Sequence, residues 1–272
     1  MPSFKVACLQ VNAGPDIAPN LETACLMARE ARTNGADMVL MPENVTMMEW
    51  GRSNTLAKAL PEAEHPAVPA FAELARDTGL WLHAGTIAVK LADGRVANRT
   101  LMFDPSGAIV GRYDKIHMFD VDLGNGEAYR ESSTFRPGDQ AMVVKTPWGG
   151  LGLTICYDLR FPHLYRTLAK AGADFLTVPS AFTRPTGAAH WHVLLRARAI
   201  ETGCWVFSPA QTGEHKGRET YGHALIVAPW GEVVADAGEE VGIVYADVDT
   251  AAVEKARGKV PSLTHDRPFS LV

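Results

Sequence analysis

Long hydrophobic runs are missing from this sequence. No apolar stretch approaches the roughly 18 residues of a membrane-spanning helix, so no membrane partner is expected. Basic excess is missing too: 26 Lys and Arg stand against 31 Asp and Glu, a formal net charge of -5. That balance argues against a nucleic-acid partner and against attraction to anionic lipid. Cysteine is scarce. The four, Cys8, Cys25, Cys156 and Cys204, form no Cys-x-x-Cys pair, which excludes a disulfide framework, a zinc ribbon and a thioredoxin motif. The opening residues Met1-Pro2-Ser3-Phe4-Lys5 lack a secretory signal's apolar region and small-residue cleavage site, so the expected location is cytoplasmic. A dinucleotide fingerprint is absent as well. Gly149-Gly150-Leu151-Gly152 leads into a strand instead of following one, and Gly124-Asn125-Gly126 reads as a loop.

What is present is an ordinary globular composition, 47% hydrophobic and 21% charged, in 272 residues. Short apolar runs bounded by turn residues alternate with helix-like segments. Residues 4–11 read as a buried strand, and 19–34 as an amphipathic helix with Leu21, Ala24, Cys25, Ala28 and Ala31 on one stripe. Strands at 37–41 and 80–89 flank a helix at 66–78, and a hairpin over 98–115 turns at Asp104-Pro105-Ser106-Gly107. The second half repeats this order, with strands at 150–155, 174–178 and 204–210 and helices at 161–171 and 187–202. GADMVLMPE at 35–43 echoes GADFLTVPS at 172–180, and LMFDPSGAIV at 101–110 echoes LIVAPWGEVV at 225–234. The pattern predicts an α/β layered protein with mixed sheets and two related halves, roughly 1–140 and 141–250, packed sheet to sheet within one domain.

Three chemically capable residues sit where an apolar strand stops: Glu43 after VLMP, Lys115 after IVGRYD, and Cys156 after LGLTI. Strand ends, where loops diverge, are where layered α/β proteins gather their sites. Cys8, Cys25 and Cys204 lie within apolar stretches and read as small hydrophobes. Cys156 differs, because polar residues follow it and Pro162 marks a new element. It is expected at a strand-to-helix elbow whose backbone donors lower the thiol pKa. A nucleophilic cysteine needs a base and an oxyanion donor. Nine histidines leave a Cys–His pair open. His190 and His192, two residues apart, project to different helix faces and suit a shared metal poorly, so His192 is expected only to shape a loop.

Taken together, MPEN around Glu43, GRYDKIHMFD around Lys115, LTICYDLRFP around Cys156, TGAAHWHVLLRARAIE at 186–201, YGHALIVAPWG at 221–231 and the closing HDRP resemble the nitrilase superfamily of carbon–nitrogen hydrolases. The resemblance covers essentially the whole chain and is closest to the Nit-type amidase branch. It implies one carbon–nitrogen hydrolase domain over 1–272, folded as an αββα sandwich of two mixed sheets with helices outside and pseudo-symmetric halves. It implies an amidase acting on non-peptide bonds of a small-molecule linear amide, with no metal and no cofactor. Glu43 becomes the general base, Lys115 the oxyanion donor and Cys156 the nucleophile. Glu131, and not Glu127, becomes the second glutamate. Ammonia departs and a thioester forms. Tyr157, Arg160, Phe182 and Thr183 are the expected substrate contacts, with Arg160 clamping a carboxylate. Pairing through the face bearing 187–202 is expected to give a homodimer or larger homo-oligomer. The segment Val45–Pro61 matches no family pattern and is expected to border the pocket. An ω-amidase, an N-carbamoyl amino acid hydrolase and, in another class, a catalytically silent scaffold or binding protein on the same fold are the alternatives.

Overall fold

The computed structural model describes residues 3–124 and 126–272; Met1, Pro2 and Asn125, the centre of the expected Gly124–Gly126 loop, lie outside the described residues. The first part of the chain contains strands β1 (Ser3–Val11), β2 (Met38–Leu40), β3 (Trp81–His83), β4 (Ile87–Lys90), β5 (Val96–Phe103) and β6 (Ile109–Asp114). Helices α1 (Ile17–Thr33), α2 (Arg52–Lys58) and α3 (Ala67–Thr78) lie between them. A ribbon of β7 (Asp120–Asp122) and β8 (Ala128–Arg130) follows. Next come β9 (Met142–Thr146), β10 (Gly149–Leu153), α4 (Pro162–Lys170), β11 (Ala173–Thr177), α5 (Arg184–Thr202) and β12 (Trp205–Ser208). The remaining elements are β13 (Ala210–His215), β14 (Arg218–Tyr221), β15 (Leu225–Val227), β16 (Val233–Asp236), β17 (Gly242–Asp249) and α6 (Ala251–Lys259).

Two mixed sheets carry the fold. One runs β14-β13-β1-β2-β3-β5-β4, with β17 also on β1 and β6 also on β5; the other runs β16-β15-β12-β11-β10-β9. The alternation of side chains along β1 sorts its residues into two cores. Phe4, Val6 and Cys8 join residues of the other sheet, whereas Ala7, Leu9 and Val11 pack with Ala24, Ala28 and Ala31 of α1 and Phe71 and Leu74 of α3. Phe4 meets Phe175 of β11 edge-on at 5.3 Å and stacks on Trp148 at 4.3 Å, which joins the sheets face to face. Leu164 and Leu168 of α4 and Leu195 and Ala199 of α5 belong to the core of the second sheet. These layers form the expected sandwich with its helices outside.

The echoed segments occupy matching places. β2 lies parallel between β1 and β3, as β11 lies between β10 and β12, and hairpins β5–β6 and β15–β16 continue antiparallel from β3 and β12. Halves and sheets do not coincide, however. β13, β14 and β17 from the second half complete the first sheet. Pro209, which has no N–H to continue a ladder, follows β12 where the chain changes sheets, and β17 pairs with β1 from Ser3 to Gln10. The strand expected over 80–89 is also two strands. The break is at Gly85, which has φ +54 and lies so close to Pro42 that a Cβ would fall 2.0 Å from its carbonyl oxygen.

Candidate active site

That close approach positions Glu43. Thr86 donates its N–H to the Pro42 carbonyl at 3.2 Å, and its hydroxyl accepts the Asn44 N–H at 2.8 Å. From the opposite side, Gln211 Nε2 donates to the Glu43 carbonyl at 2.9 Å. The carboxylate is itself fully engaged. Oε1 accepts from Lys115 Nζ and Asn98 Nδ2, each at 2.9 Å, and Oε2 accepts from the Ala181 N–H at 2.9 Å.

Lys115 follows β6, its N–H bonded to the Asn98 carbonyl at 3.0 Å and its carbonyl accepting from Gly138 at 2.8 Å. Its ammonium is 2% exposed and bridges Glu43 and Glu131 at 2.9 Å each. Burial by itself lowers the Lys115 pKa, but the Glu131 and Glu43 charges outweigh it and hold the ammonium well above its ordinary value. Glu131 is pushed the other way. Burial and then the Glu43 charge raise its pKa against the pull of Lys115, while its second oxygen accepts the Phe119 N–H at 2.6 Å. Glu127 turns elsewhere, to the Tyr129 hydroxyl at 2.7 Å.

Cys156 opens a short 3-10 turn, Cys156–Arg160, with φ +47, an unusual backbone conformation for a side-chain-bearing residue. Asp158 fixes this elbow. Oδ2 accepts from the Ile155 N–H at 2.9 Å and the Tyr113 hydroxyl at 2.6 Å, and Oδ1 accepts the His117 N–H at 3.1 Å. Cys156 N–H donates to the Pro179 carbonyl at 3.0 Å. The elbow is as expected, but its effect on the thiol is reversed. Burial first, and the Glu43 charge second, raise the Cys156 pKa well above its ordinary value, outweighing Lys115 and the Ala181 amide. Burial and the neighbouring carboxylate therefore favour the protonated thiol over the thiolate. Cys8 and Cys204 are buried in the core, and Cys25 packs partly buried against α1's neighbours, as their apolar settings suggested.

Glu43, Lys115, Glu131 and Cys156 border one cavity of about 340 Å³. Tyr157, Phe182 and Thr183 line it, and so does the Met47–Arg52 part of the segment without a family pattern. Arg160 does not. Its guanidinium lies 5.9 Å from the Tyr157 ring and 5.4 Å from that of Phe182, with Nη1 3.2 Å from His190 Nδ1. His190 and His192 diverge, as their spacing requires. His192 Nε2 and His223 Nδ1 flank Asp236 at 3.0 and 2.9 Å, a cluster with a metal-capable donor set that does not line the cavity. Sequence reasoning missed Asn98, Ala181 N–H, Phe119, Tyr129 and Arg218. Asn98 alone left a trace, at the head of the polar run Asn98-Arg99-Thr100 between the apolar ends of β5.

Known proteins resemble this chain over nearly its whole length. A family model described as carbon–nitrogen hydrolase matches residues 5–258. A deaminated glutathione amidase from Synechocystis is 40% identical over 97% of this chain and 98% of its own. The crystal structure of the C. elegans NitFhit protein superposes with a TM-score of 0.91 at 36% identity, covering 97% of this chain; this chain spans 65% of that one. Saccharomyces cerevisiae Nit3, described as a member of branch 10 of the nitrilase superfamily, gives a TM-score of 0.88 at 30% identity over 98% of this chain and 97% of its own.

Proposed function

We infer the function from one premise: this chain belongs to the carbon–nitrogen hydrolase family, and it is a hydrolase of carbon–nitrogen bonds other than peptide bonds. The reading is an amidase working through a thioester on Cys156, acting on a small carboxylate-bearing amide of the deaminated glutathione type. The observation that carries it is the junction of Glu43, Lys115 and Glu131. A buried ammonium sits 2.9 Å from both carboxylates, and Cys156 borders the same cavity.

In this reading Glu43 takes the thiol proton as sulfur attacks the amide carbon. A C–S bond forms, and the carbonyl electron pair moves onto oxygen. Lys115 and the Tyr157 N–H stabilise that oxyanion, each donor worth about 3–4 kcal/mol of barrier. Glu43 then returns its proton to the amide nitrogen, and the C–N bond breaks. A primary amide releases ammonia; in deaminated glutathione the scissile nitrogen belongs to cysteinylglycine, which leaves as the dipeptide. Glu43 next activates water, which adds to the thioester and releases the acid and the free thiol. Glu131 holds Lys115 in place. Tyr157, Phe182 and Thr183 contact the substrate; Arg160, expected as the carboxylate clamp, lies off the cavity wall against the Tyr157 and Phe182 rings and supports them instead.

No helix among the described residues is long and apolar enough to cross a membrane. A cytoplasmic enzyme, paired through the α5 face where Val193 and Ile200 are 67% and 55% exposed, completes the proposal. The test is purified protein offered three substrates. Cysteinylglycine release from deaminated glutathione supports the reading. Preference for ammonia release from α-ketoglutaramate makes it an ω-amidase, and carbon dioxide from an N-carbamoyl amino acid makes it an N-carbamoyl hydrolase. No turnover of any of the three contradicts amidase action and leaves the silent scaffold.

A further inference from the structure

We propose that Arg218 forms a carboxylate-binding subsite, at the end of a line of rings leading away from Cys156, for the far terminus of an extended amide substrate. This rests on the amidase reading above and specifies what the cavity beyond the nucleophile recognises.

A line of aromatic contacts leads away from the reacting centre. Tyr157, next to the nucleophile, meets Phe119 at 5.1 Å, and Phe119 meets Tyr129 at 5.0 Å. Arg218 lies at the end of this line, its guanidinium 4.5 Å from the Tyr129 ring and 4.8 Å from the ring of Trp50. All five residues line the cavity. Trp50 is fixed by its indole N–H, which donates to the His215 carbonyl at 2.9 Å.

The guanidinium has aromatic neighbours but, among the described residues, no ion pair with a carboxylate. Other arginines contrast with it. Arg99 pairs with Asp114 at 2.6 Å and Glu62 at 2.8 Å, and Arg257 pairs with Asp174 at 3.1 Å. Glu49, an acid of this wall, is already committed. Burial works to raise its pKa, but Lys216 at 2.6 Å, Lys58 at 2.8 Å and the Trp50 N–H bring it down to about 2. Arg52 and Arg130 also line this end, donating to the Ser133 and Tyr129 carbonyls. This end of the cavity therefore carries three guanidinium groups, while the acids beside it are otherwise engaged, Glu49 by two lysines and Glu127 by the Tyr129 hydroxyl at 2.7 Å. The Tyr129 hydroxyl takes part of the guanidinium edge, and rings that hold a guanidinium by its face leave the rest of its N–H groups to meet a planar anion.

The position sets the substrate's reach. Two ring-to-ring contacts of about 5 Å separate Tyr157 from Tyr129, where Arg218 rests. The carboxylate it takes stands several bonds from the scissile carbonyl. Deaminated glutathione has such a group in its glycine carboxylate, in addition to the keto-acid carboxylate on the acyl side.

Two substrates test this, deaminated glutathione and its glycine carboxamide, which differ only at the remote terminus. In the unmodified enzyme the carboxamide should lose about tenfold or more in kcat/KM, mostly through KM, as expected for a charge-assisted pair. Arg218→Gln should lower kcat/KM for deaminated glutathione to the carboxamide's level and leave the carboxamide unchanged within about twofold. Arg218→Lys should keep part of the discrimination. Equal loss on both substrates in Arg218→Gln, or equal use of both by the unmodified enzyme, overturns the proposal. Calorimetric binding of the same pair to Cys156→Ala gives a readout without turnover. Discrimination there without hydrolysis by the unmodified enzyme keeps the subsite and refutes the amidase; turnover without discrimination does the reverse.

Discussion

Replacing Glu43 by Gln preserves shape while removing the charge and the proton acceptor. The native carboxylate accepts from Lys115, Asn98 and the Ala181 N–H, each at 2.9 Å. An amide has a single acceptor oxygen. Turned toward Lys115 and Asn98, it sets its NH₂ against the Ala181 N–H and forfeits one hydrogen bond to a charged group, roughly 1.5–3 kcal/mol. Lys115 keeps Glu131 as its counterion, so the variant should fold. Turnover should fall by about 10²–10⁴, the usual contribution of general acid–base catalysis. The thiol should respond in the opposite sense. The Glu43 charge raises the Cys156 pKa, whereas Lys115 lowers it. Without Glu43, the midpoint of the pH profile for Cys156 alkylation by iodoacetamide should move down. Lost turnover with an easier ionisation separates a missing base from a damaged nucleophile. Activity within about threefold of the unmodified enzyme, or an alkylation midpoint that stays or rises, would refute the reasoning.

Lys115→Met leaves Glu43 and Glu131 buried together without their cation, and denaturant unfolding near neutral pH should show a loss of about 3–5 kcal/mol. Glu131, whose pKa burial already raises, then loses the cation that pulled it down, so the deficit should shrink as pH falls; a deficit independent of pH would count against the pairing. His83 is fully buried in β3, with neither ring nitrogen partnered among the described residues, and burial lowers its pKa to about 3. A depressed folded pKa gives stability that is present above the ordinary value of 6.5 and is lost as pH falls toward 3. That loss runs at up to about 1.4 kcal/mol per pH unit for one group. His83→Leu should therefore raise stability, with its advantage growing as pH drops below 6.5. An equal effect at pH 8 and pH 5 would contradict this assignment.

The sequence was most legible where one physical signal dominated. The apolar run of β1, the helical stripe of α1 and the Pro-Gly turns of the two hairpins each lie within a few residues of their expected places. The three strand-end residues Glu43, Lys115 and Cys156 were likewise visible, because a reactive group after an apolar run is distinctive. Long-range pairing was not. Nothing local in β17 specifies an antiparallel ladder with a strand more than 200 residues earlier. The break at Gly85 depends on the Pro42 carbonyl, which only the folded chain brings near. The thiol pKa was misread for a related reason. Position at an elbow is local, whereas burial and the Glu43 charge come from tertiary structure. Arg160 and Arg218 exchanged prominence for the same cause. Proximity to Cys156 in sequence favoured Arg160, yet the fold places Arg218 on the cavity wall.

The covalent step is most directly tested by rapid quench of the enzyme with deaminated glutathione, followed by intact-protein mass spectrometry and mapping of the modified peptide. The account expects a transient mass increase equal to the acyl group, located on Cys156, appearing as cysteinylglycine is released and absent from Cys156→Ala, which should be folded and inactive. Turnover that persists in Cys156→Ala, or an acyl group mapped to any other residue, would contradict it.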